Sequence, residues 1–98
     1  MNTKRVIRYK LKADRAAENE QRIKAVFAQI HDKKPVGVGY TVYKLADGVS
    51  FVHIVQYETE EAHQAFVNLP AFREFQAQAK DRFEEPPVAR DAEEIGSY

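Results

Sequence analysis

The sequence predicts an α+β domain, an antiparallel sheet with helices on one face. Two observations carry that reading. Runs with apolar residues at every second position alternate along the chain with runs that repeat at helical spacing. An Asp47-Gly48 pair also separates two strand-like runs, as a hairpin requires. The 98 residues show no repeat and no linker, so one domain over 1–98 is expected.

Residues 6–11 open the pattern. Ile7, Tyr9 and Leu11 make one apolar face, with Arg8 and Lys10 on the other. Asp14 stands where a helix N-cap belongs. Ala16, Ile23, Val26, Phe27 and Ile30 then recur at helical spacing, with Glu18, Glu20, Arg22 and Lys24 opposite. Lys33 and Lys34 suit the C-terminal end of that helix, and Pro35 stops it. Residues 36–45 and 51–57 are the two hairpin strands. Gly37 and Gly39 share a face of the first, either as a bend or as a place of close approach. Thr59 caps a second helix, with Glu60 and Glu61 in its first turn and Ala62, Ala65, Phe66 and Leu69 as its stripe. Pro70 interrupts it. A third helix carries Phe72, Phe75, Ala79 and Phe83 on one face and ends at Pro86-Pro87. Residues 88–98 form a last, edge-like strand. The order β-α-β-β-α(α)-β is the ferredoxin-like split βαβ arrangement.

Composition narrows the function classes. Fifteen basic residues balance fifteen acidic ones. No cationic excess is present to neutralise a phosphate backbone, which argues against nucleic acid as a partner. The basic stretch Lys4, Arg5, Arg8, Lys10 and Lys12 has a counterweight in Asp91, Glu93 and Glu94. The chain has no cysteine, so disulfides, thiolate metal sites and a Cys nucleophile are excluded. No apolar run approaches the length needed to span a membrane, and a soluble, cytoplasmic protein is expected.

The middle strands are apolar on both sides. Val52 and Ile54 point one way, and Phe51, His53, Val55 and Tyr57 the other. Helices cover only one face of such a sheet, which leaves on the order of several hundred Å² of apolar surface for a partner. A two-fold homodimer covers it most simply, making the sheet half of a two-subunit barrel.

The run FVHIVQYETEEAHQAFVNLPAFREFQ, residues 51–76, resembles the middle of the antibiotic biosynthesis monooxygenase-like family of dimeric α+β barrels. Tyr57, Glu58, Thr59, Glu60, Glu61 and Ala62 match a strand that ends in an aromatic and leads into a short acidic helix. Leu69, Pro70, Ala71 and Phe72 match the P-x-F step into the next helix. The opening IRYKLKAD, followed by a long helix, is similar to the family's start. The resemblance implies a homodimer and, in one branch, oxidation of quinol-like or polyketide substrates without a cofactor, while many members of the family have no known activity. A haem-degrading branch uses an Asn on the first strand, a Trp on the second helix and a ligating His on the third. Ile7, Phe66 and Gln76 stand at those positions here, so haem iron would find no protein ligand there.

His53 is the first candidate for chemistry, a mid-strand imidazole among Phe51, Val55 and Tyr57. It acts either as general base toward a phenolic substrate or as a buried group bonded across the dimer seam, to Asp91 or Glu93. Arg8 and Lys10 orient an anionic ligand or pair with the acidic last strand. Tyr9, Tyr40, Tyr43 and Tyr57, with Phe66, Phe72 and Phe75, line an aromatic pocket between sheet and helices or simply fill the core, with Tyr9, Phe66 and Phe72 the first choices for the pocket. His31 and His63 make no metal-ligand spacing with His53, and no metal site is expected. There is no Gly-rich phosphate loop, and Ser50 and Ser97 lie in no nucleophile context. The functional expectation is a monooxygenase-like protein that acts on a small aromatic molecule without a cofactor. The alternatives are a non-catalytic small-molecule-binding or stress-related dimer, and a structural interaction module.

Overall fold

The computed structural model describes residues 3–77 and 81–98. Its elements are β1 (Thr3–Leu11), α1 (Ala16–Lys33), β2 (Val38–Lys44), β3 (Ser50–Tyr57), α2 (Glu60–Val67), α3 (Pro70–Ala77) and β4 (Phe83–Ala92). The sheet order is β2-β3-β1-β4 and every pairing is antiparallel. This is the expected ferredoxin-like α+β fold.

Register sorts the side chains into two faces. Tyr9 lies opposite Phe51, Ile7 opposite His53, and Val42 opposite His53 on the other side. Residues directly opposite share a face. Tyr9, Leu11, Phe51, His53, Val55 and Tyr57 therefore point together. All are buried, with Ile23, Val26, Ala62, Phe66, Leu69 and Phe75 from the helices above them. The other face carries Val6, Arg8, Val52 and Ile54, which are half-buried or exposed.

Local chemistry explains most boundaries. The hairpin turn is closed by the Asp47 carboxylate, which accepts from the backbone N–H groups of Val49 and Ser50 at 3.0 and 2.8 Å. Thr59 Oγ1 accepts from the Ala62 N–H at 3.0 Å and caps α2 as expected. Gly37 has φ +81, and a Cβ there would meet Ala62 and Glu58 at 3.3 Å. Both readings of that glycine are met, since it lies in the turn that leads into β2 and two side chains approach it closely.

Three expectations need correction. Asp14 does not cap α1: it lies in a 3-10 turn, Ala13–Arg15, and Arg15 takes the cap position without a side-chain hydrogen bond. The third helix is described to Ala77, and Ala79 lies outside the described residues. Phe83 is a strand residue, opposite Leu11. Pro86 and Pro87 sit inside β4 rather than ending a helix. Two features tolerate them. β4 is an edge strand, and its register with β1 shifts between Arg8, which faces Val88, and Lys10, which faces Glu85. A proline lacking an N–H is accommodated at such an irregularity on an edge.

Candidate functional site

The most unusual chemistry lies between sheet and helices. His53 from β3 is 3% exposed. Its Nε2 is 2.7 Å from Tyr9 Oη on β1, and its Nδ1 is 2.8 Å from Tyr40 Oη on β2. Asn19, on α1, donates from Nδ2 to Tyr9 Oη at 2.9 Å. Four residues from four elements thus form one chain of hydrogen bonds, Asn19–Tyr9–His53–Tyr40. The sheet places the three ring residues. Tyr9 and Tyr40 each stand one step off the cross-strand partner of His53, within reach of long side chains.

Proton positions follow from the available acceptors. Tyr9 is almost fully buried, and the only acceptor described for its proton is His53 Nε2. His53 then carries its proton on Nδ1 and donates to the oxygen of the half-buried Tyr40. Burial makes every ion here costly. It pushes the His53 pKa down to about 4, with help from the charge of Arg82. Burial also raises Tyr9 to about 12, against the opposing pull of the Asn19 hydrogen bond and Arg82. Tyr40 is raised too, chiefly by burial and further by Tyr9 and Tyr57. At neutral pH the whole chain is uncharged.

Aromatic rings wall this network. Tyr9 is stacked with Phe51 at 5.7 Å and meets Phe83 edge-on at 5.2 Å. Tyr40 stacks on Phe27 at 5.0 Å, and Phe75 lies 5.7 Å from His53. Beside them is Arg82, 4% exposed, its guanidinium 4.4 Å from the Phe75 ring centre and 5.4 Å from that of Phe83. Its Nη2 donates to the Phe75 carbonyl at 2.7 Å. Burial lowers the pKa of Arg82, yet a guanidinium stays charged.

The expected site residues therefore divide. Tyr9, Tyr40 and His53 are in direct contact. Phe66 touches Tyr40 at 5.0 Å, and Phe72 and Tyr57 touch Phe66 at 4.5 and 5.8 Å, one layer further out. Tyr43, opposite Val52 on the outer face and 55% exposed, is not with them, and neither is Arg8. It lies on the outer face between Val52 and Val88, beside a cleft of about 390 Å³ that it shares with Lys10, Glu85 and Arg90. The acidic end of the chain pairs instead with Lys4 and Arg5, through Glu94 at 3.1 Å and Asp91 at 3.3 Å. His53 bonds to neither Asp91 nor Glu93 but to two phenols.

Sequence reasoning missed Asn19 and Arg82. Asn19 left a trace, a polar residue at a stripe position between Ala16 and Ile23. Arg82 left none, because its burial depends on the turn into β4. Among the described residues no group of three or more His, Cys, Asp or Glu is placed to hold a metal ion. No described helix is long and apolar enough to cross a membrane.

The sequence pattern of the antibiotic biosynthesis monooxygenase family matches residues 4–78, three-quarters of the chain. This protein belongs to that family. Solved structures agree on the fold. Rv0793 from Mycobacterium tuberculosis is 16% identical, with a TM-score of 0.80 over 99% of this chain and 98% of its own. A protein of Bacteroides thetaiotaomicron is 17% identical, with a TM-score of 0.82 over 96% of this chain and 90% of its own. A conserved protein of Methanosarcina mazei is 13% identical, with a TM-score of 0.76 over 94% and 91%. At such identities the likeness speaks for the fold alone. No curated protein matches this sequence.

Proposed function

We propose that this chain is a homodimeric, cofactor-independent monooxygenase of a small quinol-type aromatic, with His53 as its base. One observation carries the reading: an imidazole buried in an apolar interior and bonded at 2.7 and 2.8 Å to two phenols. A quinol hydroxyl placed against Tyr9 passes its proton to the Tyr9 oxygen as the Tyr9 proton moves to Nε2. Tyr9 stays uncharged, and the Asn19 N–H steadies its oxygen throughout. Imidazolium is costly here, so it forms only together with the quinolate beside it.

The quinolate itself is the reductant. It gives one electron to O₂, and the two radicals recombine in a new bond between oxygen and a ring carbon. The peroxide anion so formed takes back the proton held on His53, and the resulting hydroperoxide loses water. Quinol and O₂ become hydroxyquinone and water: one oxygen atom stays on the ring and the other leaves with two hydrogens. The aromatic walls keep bulk water from the intermediate.

The test is oxygen uptake by protein freed of metal and flavin, across a panel of benzene- and naphthalene-diols. One O₂ should disappear for each hydroxyquinone formed, and His53→Ala should slow turnover by on the order of 100-fold. An unchanged rate in that variant removes the base. A second reading, binding without turnover, draws on the fact that both His53 nitrogens are already satisfied within the chain. Saturable binding of the diols with no oxygen consumed would select it.

A further inference from the structure

The outer face of the sheet holds the cleft of about 390 Å³ over β1 and β4. It lies where their register shifts, between Arg8, which faces Val88, and Lys10, which faces Glu85. Tyr9 alone spans that step on β1, against Pro86 and Pro87 on β4, and such a bulge re-aims the side chains beside it. Arg8, Lys10, Glu85 and Arg90 give the cleft its charge, and Val6, Pro86 and Val88 its apolar wall. The charges do not cancel. Glu85 stands opposite Lys10, but Arg8 stands between Val52 and Val88, and Arg90 opposite Val6. The acidic end of the chain is taken up by Lys4 and Arg5, at 3.1 and 3.3 Å. Arg90 donates to the carbonyl of Ala89 at 3.0 Å, and among the described residues neither it nor Arg8 pairs with a carboxylate.

Register sets the two arginines together. Val6 and Arg8 share a face, so their partners Arg90 and Val88 share it too. Arg8 and Arg90 are then diagonal neighbours on adjacent strands, with Cα atoms about 7–8 Å apart. Two guanidinium forks at that spacing fit one carboxylate, each fork donating to one oxygen. The rest of the ligand meets little that is polar. The Ser50 hydroxyl, also on the cleft, already donates to Asp47 at 2.6 Å. Val6, Pro86 and Val88 suit a compact apolar body, and the volume is that of a small-molecule site. A second copy on this face adds to the demand for an anion. A two-fold contact uses the same patch on both subunits, so the unpaired cations of both copies join one seam and oppose the contact.

We propose that this cleft binds a small aromatic monocarboxylate, its oxygens shared by Arg8 and Arg90 and its ring against Val6, Pro86 and Val88, and that its binding strengthens the pairing of two copies. The cleft lies across the sheet from His53, so it stands without the oxygenase chemistry. Its coupling to self-association rests on the homodimer in the reading above.

Calorimetric titration of the full chain with 4-methylbenzoate at neutral pH tests it. Binding should saturate, and 4-methylbenzyl alcohol, acetate and inorganic phosphate should each bind at least about tenfold more weakly, the first for want of charge and the others for want of a ring. Arg8 and Arg90 are exposed, so their variants should fold. The double variant Arg8→Gln, Arg90→Gln should weaken binding about tenfold or more, while His53→Gln, on the inner face, should leave it unchanged. Sedimentation equilibrium through a urea series should show the probe tightening the wild-type dimer several-fold and leaving the double variant unaffected. The cleft is refuted if the probe does not bind, if the alcohol or phosphate binds equally well, if the double variant binds undiminished, or if His53→Gln abolishes binding. A probe that drives two copies apart refutes the coupling. A dimer that ignores the probe removes this site and leaves the homodimer. Arginine-dependent binding by a lasting monomer keeps the cleft and removes both the coupling and the homodimer.

Discussion

His53 sits where ionising it is expensive, so the stability of the fold should report on it. Its pKa is about 4 in the native chain, against 6.5 ordinarily. Between those values the unfolded chain takes up a proton that the native chain refuses. The stabilisation is complete above about pH 6.5 and is lost as pH falls toward about 4, a change of about 3 kcal/mol. Exposed carboxylates such as Glu18 and Asp47 are also held below their usual range by hydrogen bonds, and they add acid sensitivity of their own. Urea unfolding of wild type and His53→Gln at a series of pH values separates the two, because only the histidine part should vanish in the variant. The phenols should differ as well. Tyr9→Phe strands both the Asn19 N–H and Nε2 in a fully buried place, whereas Tyr40→Phe strands only Nδ1 in a half-buried one. Losses of about 2–3 and about 1 kcal/mol are expected, measured the same way. Equal losses would contradict the order of burial.

Secondary-structure elements show how much of this could be read beforehand. Strands β1, β2 and β3 and helices α1 and α2 follow from periodicity and turn chemistry, because Asp47-Gly48 and Thr59 act through bonds to residues two or three positions away. The last quarter of the chain does not. Phe83 and Pro86-Pro87 read locally as a helix and its stop. Their true place is set by a register shift against β1, a partner more than seventy residues earlier. The site divides in the same way. Tyr9, Tyr40 and His53 were visible as candidates, but not that they bond to one another, since that depends on the stagger between strands. Two substitutions test the local claims by thermal unfolding. Thr59→Ala should cost about 1 kcal/mol for the lost cap. Gly37→Ala should cost about 1–2 kcal/mol, because alanine disfavours φ +81 and its Cβ would press on Glu58 and Ala62. A neutral Gly37→Ala would mean the strand can relax around it.

On the scale of the whole molecule, the sheet separates two tasks. The inner face holds the Asn19–Tyr9–His53–Tyr40 chain in an apolar shell. The outer face leaves Val52 and Ile54 half-covered and Val88 and Tyr43 about half exposed, a surface suited to a second copy. Sedimentation equilibrium should give a dimer, and Ile54→Glu should shift it toward monomer by placing a charge in the contact. A wild-type monomer at high concentration would remove the barrel, yet the inner face would keep its chemistry. The proposed chemistry depends most on the state of one ring, which nitrogen NMR of the His53 side chain can follow through a pH titration. The predicted result is a neutral, Nδ1-protonated imidazole throughout the neutral range, with a midpoint near 4. A midpoint near 6.5 would contradict it, for that is the behaviour of a histidine in water rather than one held between two buried phenols.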